Sequence, residues 1–164
     1  MVWRAEKMEA YALLSLMLEE RGVQPLPEIA RTGKGKPYFP SHPHLHFSVS
    51  HTGDLSMCAL SDRPIGADIE RLGTPREGLP AYALSPRELE WFRARGEAWE
   101  DFYTLWTLKE AKVKCTGEGI FRRPVREVEV PLLTPGETAE FQGFAFTALA
   151  GEGWRGAVCE KLDS

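Results

Sequence analysis

The sequence predicts an α+β fold in which a helix followed by antiparallel strands occurs twice. Three observations lead to it. A broad apolar helical face between Arg4 and Arg21 precedes three short strand-like runs within His46 to Glu70. A capped helix at Ser85 and a longer one from Ala98 to Thr116 precede three more strand-like runs within Val125 to Glu160. With 164 residues, 43% of them hydrophobic, the chain can bury one core shared by two small halves.

The first helix is expected from about Arg4 to Arg21, because Met8, Ala12, Leu13, Leu14, Met17 and Leu18 recur at helical spacing. Gly22 is placed to stop it. Residues 24–43 are rich in proline and glycine and read as loop. Strands follow at His46–His51, Leu55–Leu60 and Ile65–Glu70, separated by Thr52-Gly53-Asp54 and Ser61-Asp62-Arg63-Pro64, and a meander is the economical pairing. Residues 71–84 read as the crossing between halves of about 1–75 and 76–164. Ser85-Pro86-Arg87-Glu88 carries a capping serine, a proline suited to the first turn and a glutamate that completes a capping box. The long helix ends at Gly117, and Val125–Leu133, Phe141–Leu149 and Trp154–Glu160 read as strands, with Gly151-Glu152-Gly153 turning between the last two. The halves show no sequence repeat, so the duplication is one of element order.

Composition excludes several classes. A net charge of −4 gives no general basic field for nucleic acid or an anionic membrane, so any phosphate site must be local. Cys58, Cys115 and Cys159 are odd in number and widely spaced, which points away from disulfides or structural zinc and toward a reducing cytoplasm. The apolar run Ala10–Leu18 is too short to cross a membrane and is flanked by charges on both sides, unlike a secretory signal. His42, His44 and His46 alternate, but in a proline-containing approach to a strand.

Four stretches carry chemistry. In Gly66-Ala67-Asp68-Ile69-Glu70 the two acids are two apart on a strand and project from one face. Like charges so close call for a cation, and a magnesium ion takes one or two carboxylates with waters and phosphates; a solvated strand end is the other reading. In the long helix, Trp106, Glu110 and Lys114 are spaced by four and share a face, either as a site or as an ordinary helix-stabilising pair. Ser50-His51 precedes a glycine turn, where the imidazole can donate to a phosphate or serve as a cap. Gly33-Lys34-Gly35-Lys36-Pro37 is a short basic glycine loop without the Walker pattern.

Together, in this order, Gly35-Lys36-Pro37, Ser50-His51, Gly66-x-Asp68-x-Glu70 and Trp106-Thr107-x-Lys109-Glu110-Ala111-x-x-Lys114-x-x-Gly117-x-Gly119 resemble the 4′-phosphopantetheinyl transferase superfamily, in its larger single-chain, surfactin-synthetase-activating type. The resemblance covers roughly Gly33 to Val130. It implies the pseudo-duplicated fold of that superfamily, with the active site between the halves. It also implies a magnesium ion held by Asp68, Glu70 and Glu110, with coenzyme A as co-substrate. Ser50 and His51 are then expected at a phosphate of the nucleotide end, Gly35, Lys36 and Pro37 along the adenosine pocket, and Lys114 at the pyrophosphate. Glu110 is the expected general base. The acceptor implied is a serine of an apo acyl or peptidyl carrier protein, and the enzyme is expected to work as a cytoplasmic monomer, with a dimer open.

The chain departs from the pattern in two places. It lacks sequence before Trp3 where many relatives have a further strand and basic residues for the 3′-phosphate; Arg4, Lys7, Arg31 and Lys34 are candidates to replace them. Ala67 stands where a β-branched residue is usual. Carrier proteins are typically acidic, so a basic rim is expected, from Arg122, Arg123 and Arg126 or from Arg87, Arg93 and Arg95. Two alternatives remain open at this level: a magnesium-dependent phosphotransferase or hydrolase of another substrate, and a non-catalytic relative that binds coenzyme A or a carrier protein.

Overall fold

A computed structural model describes residues 1–74, 76–119 and 123–164. Strand β1 (Val2–Glu6) comes first, and helix α1 (Ala10–Glu19) starts later than its apolar pattern suggests. The reason is Glu9, whose carboxylate accepts from the backbone N–H groups of Tyr11 and Ala12 at 3.0 and 2.9 Å and so caps the helix from outside it. Gly22, at φ 78°, ends the following turn as expected.

The segment from residue 24 to 43 is mostly irregular, holding only the two-residue strands β2 (Ala30–Arg31) and β3 (Pro37–Tyr38), which pair with each other. Then come β4 (His46–Thr52), β5 (Leu55–Ser61) and β6 (Ile65–Arg71). They do not form the expected meander. Strand β5 lies between β1 and β4 in a three-stranded antiparallel sheet, whereas β6 pairs with the last strand of the chain. A short helix α2 (Leu79–Ala83) leads to α3 (Pro86–Ala94), whose Ser85–Glu88 capping box is complete, and to the long α4 (Trp99–Thr116). Gly117, at φ 69°, caps α4 as its sequence predicts.

Two of the expected late strands differ. Val125–Leu133 contains one 3-10 turn, Val125–Glu127, and no strand. Its apolar residues Val128, Val130 and Leu133 are buried, which produces the strand-like pattern, but carbonyls of Val125, Arg126 and Val128 accept from the Lys109 ammonium instead of a ladder. The Phe141 run is two strands, β7 (Thr138–Phe141) and β8 (Phe144–Gly151), turned by Gln142 and Gly143 at φ 50° and 82°. Strand β9 (Trp154–Lys161) completes a four-stranded antiparallel sheet in the order β6-β9-β8-β7.

The sheets meet through one apolar layer, in which Leu55, Met57 and Ala59 of β5 face Ile65, Ala67 and Ile69 of β6. Helix α1 covers the other face of the first sheet, packing Leu13, Leu14, Met17 and Leu18 against Phe47, Cys58 and Leu60. Helix α4 covers the other face of the second through Phe102, Leu105, Leu108 and Ala111, against Phe146, Ala148 and Ala157. Strand β6 is an edge of its sheet, and its outward N–H groups need acceptors. Hydroxyls of β4 supply them: Ser48 accepts from Ala67 N–H at 2.9 Å, Ser50 from Ile69 at 3.3 Å and Thr52 from Arg71 at 3.3 Å. This hydroxyl seam holds β6 parallel to β4, where a meander would have paired it with β5. No described helix is long and apolar enough to cross a membrane.

Candidate active site

The site forms where α4 crosses β6. Alternation along β6 sends Ile65, Ala67 and Ile69 into the apolar layer and leaves Gly66, Asp68 and Glu70 on the helix side. At Gly66 the helix backbone comes so close that a Cβ would lie 1.9 Å from the Ala111 carbonyl oxygen and 2.4 Å from the Cys115 nitrogen. Only glycine permits this approach, and the approach is what brings Glu110 and Lys114 of α4 to the acids of β6.

Asp68 is 4% exposed. Its Oδ1 accepts from the Ser50 hydroxyl at 3.0 Å and from the Lys114 ammonium at 3.0 Å. Its Oδ2 is buried with no donor. Burial pushes the Asp68 carboxyl up, against the pull of Lys114 and Ser50. Glu70, half-buried, is pushed up to about 7 by burial first, then by the charges of Asp68 and Glu110. Glu110 is raised by burial and by Asp68. Three carboxylates thus crowd one region with a single ammonium among them.

A cavity of about 290 Å³ opens beside this cluster. Gly35, Lys36 and Pro37 line it, as do Glu110, Lys114 and Gly117, so the basic loop and the helix motif, 78 residues apart at Lys36 and Lys114, share one wall. The Lys36 ammonium is itself committed, donating to the carbonyls of Ile65, at 3.0 Å, and of Lys114. Burial pulls it down. Its stem packs where a Gly117 side chain would stand, since a Cβ there would meet Lys36 Cδ at 3.0 Å. Lys36 therefore presents a buried stem and backbone to the cavity and braces the end of α4.

The other expected residues are distributed unevenly. Ser50 lies against Asp68, with its hydroxyl proton given to the carboxylate and its oxygen accepting from Ile69. His51 is exposed at the end of β4, outside the cavity lining, with Glu9 of the α1 cap nearby. Among the four basic candidates for a further phosphate, Arg31 and Lys34 line the cavity, whereas Arg4 is paired with Glu20 at 2.8 Å on the surface. Arg31 is oriented by donating to the Gly35 carbonyl at 2.9 Å. Tyr11 and Ser48 also line the cavity; nothing in their local sequence marks them, because chain folding brings them there. Of the rim arginines, Arg87, Arg93 and Arg95 each have an acid nearby: Glu129 at 3.9 Å, Glu97 at 3.8 Å and Asp101 at 2.8 Å. Arg123 and Arg126 are exposed, and Arg122 lies outside the described residues.

Asp68, Glu70 and Glu110 do not close into a three-donor cage, and no other three His, Cys, Asp or Glu residues do so among the described residues. Their chemistry nevertheless fits a hard cation. Asp68 Oδ2 is buried without a donor, and burial of all three acids, with the charge of Asp68 acting on Glu70 and Glu110, is a cost that a divalent ion relieves.

A buried acid on a strand, an acid and a lysine on the facing helix, and a basic glycine loop across a cavity mark the candidate site of this α+β protein. Comparison with known proteins sharpens that class. The 4′-phosphopantetheinyl transferase superfamily matches residues 64–159 of this chain. The match covers more than half of the chain, and the protein belongs to this superfamily. A 4′-phosphopantetheinyl transferase of Bacillus subtilis is 36% identical over 88 residues, covering 52% of this chain and 39% of that protein. The 4′-phosphopantetheinyl transferase HetI of Nostoc sp. is 34% identical over 131 residues, 68% of this chain and 54% of its own length. An L-aminoadipate-semialdehyde dehydrogenase-phosphopantetheinyl transferase of Xenopus laevis is 34% identical over 108 residues, 56% of this chain and 36% of that protein. The chain thus spans between about a third and a half of the length of these relatives.

Proposed function

We propose that this protein transfers the 4′-phosphopantetheine group of coenzyme A to a serine hydroxyl of an apo acyl or peptidyl carrier protein, releasing adenosine 3′,5′-bisphosphate. The observation that carries the reading is that Glu110 and Lys114, the latter paired with the buried Asp68, line a cavity together with the Gly35-Lys36-Pro37 loop. Superfamily membership and the names of the relatives support it. We take residues 1–164 as one functional unit, since β6 is held by β4 on one side and β9 on the other.

Asp68, Glu70 and Glu110 are the residues that would hold magnesium, which when bound draws charge from the pyrophosphate oxygens. The chain's own groups account for the rest. The serine oxygen attacks the pantetheine-side phosphorus, and the bond from that phosphorus to the bridging oxygen breaks. Phosphoryl transfer of this kind depends on positioning and charge neutralisation. Glu110, whose carboxyl burial and the Asp68 charge push up, suits the base that takes the serine proton. Lys114, about one third exposed and on the cavity wall, suits the cation that meets charge growing on the departing bisphosphate. The cavity walls beyond Lys114, with Arg31 and Lys34, suit the nucleotide end. Three buried free cysteines fit a reducing cytoplasm as the place of reaction.

Intact-mass measurement tests the proposal. Incubated with coenzyme A, magnesium and a panel of apo carrier proteins, the protein is expected to add one phosphopantetheine group to at least one of them. Chelation should abolish the gain, and Asp68→Ala should prevent it. Binding of coenzyme A without modification of any carrier would overturn the catalytic reading in favour of a binding role.

A further inference from the structure

We infer that Ser50 is a positioning residue for the cation site: it divides the Asp68 carboxylate into one oxygen for the protein and one for a divalent metal. The inference rests on the cation reading above and assigns Ser50 a role at the metal end, distinct from the phosphate contact expected from sequence.

The argument is one of counting donors and acceptors. A carboxylate has two oxygens, and a buried one normally satisfies both. Both donors that reach Asp68, the Ser50 hydroxyl and the Lys114 ammonium, fall on Oδ1, each at 3.0 Å. Oδ2 has no solvent contact and no donor. Turning the carboxylate about its last torsion would bring Oδ2 toward these donors. Ser50 is not free to follow such a rotation, because its own oxygen accepts from Ile69 N–H at 3.3 Å. That bond belongs to the hydroxyl seam between β4 and β6, with Ser48 and Thr52 on either side. The seam therefore does more than satisfy an edge strand. At its middle rung the hydroxyl relays the fixed register of two strands to the orientation of one carboxylate. An oxygen held buried, bare and aimed by its partner is what a hard cation needs from a ligand. Ser48 and Thr52 accept from β6 in the same way but make no hydrogen bond to a carboxylate among the described residues, so they mark the purely structural part of the seam.

Manganese binding to the purified full chain, followed by the loss of the free-ion paramagnetic resonance signal, tests this without reference to turnover. Wild type should bind Mn²⁺, and Asp68→Ala should lose it. Ser50→Ala should raise the Mn²⁺ dissociation constant by about tenfold or more, the usual effect of removing a partner that orients a metal ligand. Ser50→Thr, which keeps the hydroxyl, should restore most of the affinity. Thr52→Val removes a comparable rung of the seam and should leave Mn²⁺ affinity within about twofold, whatever it costs in Tm. Ser50→Ala binding Mn²⁺ as tightly as wild type, while Asp68→Ala does not bind, would overturn this inference alone. Equal losses in Ser50→Ala and Thr52→Val would also overturn it, reducing Ser50 to a structural rung. No binding by wild type, or unchanged binding by Asp68→Ala, would overturn the cation reading together with it.

Discussion

Helix α4 carries two lysines that reach buried carboxylates, and their surroundings differ. Lys109 meets Glu88 at 2.5 Å, and both side chains are fully excluded from solvent. Its ammonium also serves the carbonyls of Val125, Arg126 and Val128, while Glu88 accepts from Ser85 N–H in the α3 capping box. Lys114 meets Asp68 at 3.0 Å with 34% of its side chain exposed, and it faces the cavity. The first pair joins α3, α4 and the 3-10 turn with the residue after it; the second joins α4 to β6 and leaves an ammonium facing the cavity. One helix motif thus supplies a fully buried lysine and a part-exposed one at the cavity, five residues apart in sequence. Burial and the number of acceptors, not residue type, decide which is which.

The largest expected effect is at the fully buried pair. Lys109→Met leaves the Glu88 charge uncompensated in the core and takes the ammonium donor from three carbonyls, and should destabilise the protein by about 3–5 kcal/mol. Thermal or urea unfolding measures this. Lys109→Met with Glu88→Leu removes both charges and should recover part of the loss. A single mutant as stable as wild type would erase the distinction between the two lysines.

Lys114→Ala should do the reverse. Its ammonium is one third exposed although Asp68 is buried, and Asp68 keeps the Ser50 hydroxyl, so unfolding should shift less than in Lys109→Met. Turnover of the proposed transfer should fall by about 10²–10³-fold, with coenzyme A affinity changed less, because the charge Lys114 meets grows in the transition state. Single-turnover kinetics beside equilibrium binding separates the two. A pure rise in KM would make Lys114 a ground-state contact and weaken the contrast with Lys109.

Glu110→Ala tests the neighbour of the fully buried lysine. As the proposed base it should lower turnover by about 10²–10⁴-fold while Tm stays near or above wild type, since a crowded, partly buried acid is removed. A large fall in Tm would mean that Glu110 belongs to the scaffold with Lys109.

Much of this was legible in the sequence because the signals were local. The Ser85 capping box, the Gly117 cap, the alternation that puts Asp68 and Glu70 on one face and the four-residue spacing of Glu110 and Lys114 depend on neighbours a few positions away. What was missed depends on distant partners. Val125–Leu133 has a strand's burial pattern, but Lys109 takes its carbonyls, and no local rule reports that. Strand β6 follows β5 closely yet pairs with β9, because β4 presents hydroxyls to its free edge. The alternating Ser48, Ser50 and Thr52 were a visible trace of that seam, and hydroxyls in register on one strand face are worth reading as acceptors for a neighbour. Glu9 misled the start of α1 because its capping role is invisible to an apolar periodicity.

The smallest expected effect, and one the two pairs should not share, is a cation-dependent response to pH. Glu70 titrates near 7 in the folded protein against an ordinary value near 4.5, with Asp68 and Glu110 shifted in the same direction. A raised carboxyl holds its proton in the folded state after the unfolded chain has released it. Its contribution to stability is therefore complete below about pH 4.5 and is lost as pH rises through about 7. The metal-free protein should lose a few degrees of Tm across that window, and Glu70→Gln, which cannot ionise, should flatten the slope. Saturating magnesium binds the ionised acids, so it should raise Tm more at pH 7.5 than at pH 5, where protons compete for the same oxygens. Glu88→Gln lies outside the acid cluster, and for all its cost in stability should leave the size of that magnesium shift unchanged. A magnesium shift equal at both pH values would mean that the ion binds away from the acids of β6 and α4, and that the Lys114–Asp68 pair meets no cation there.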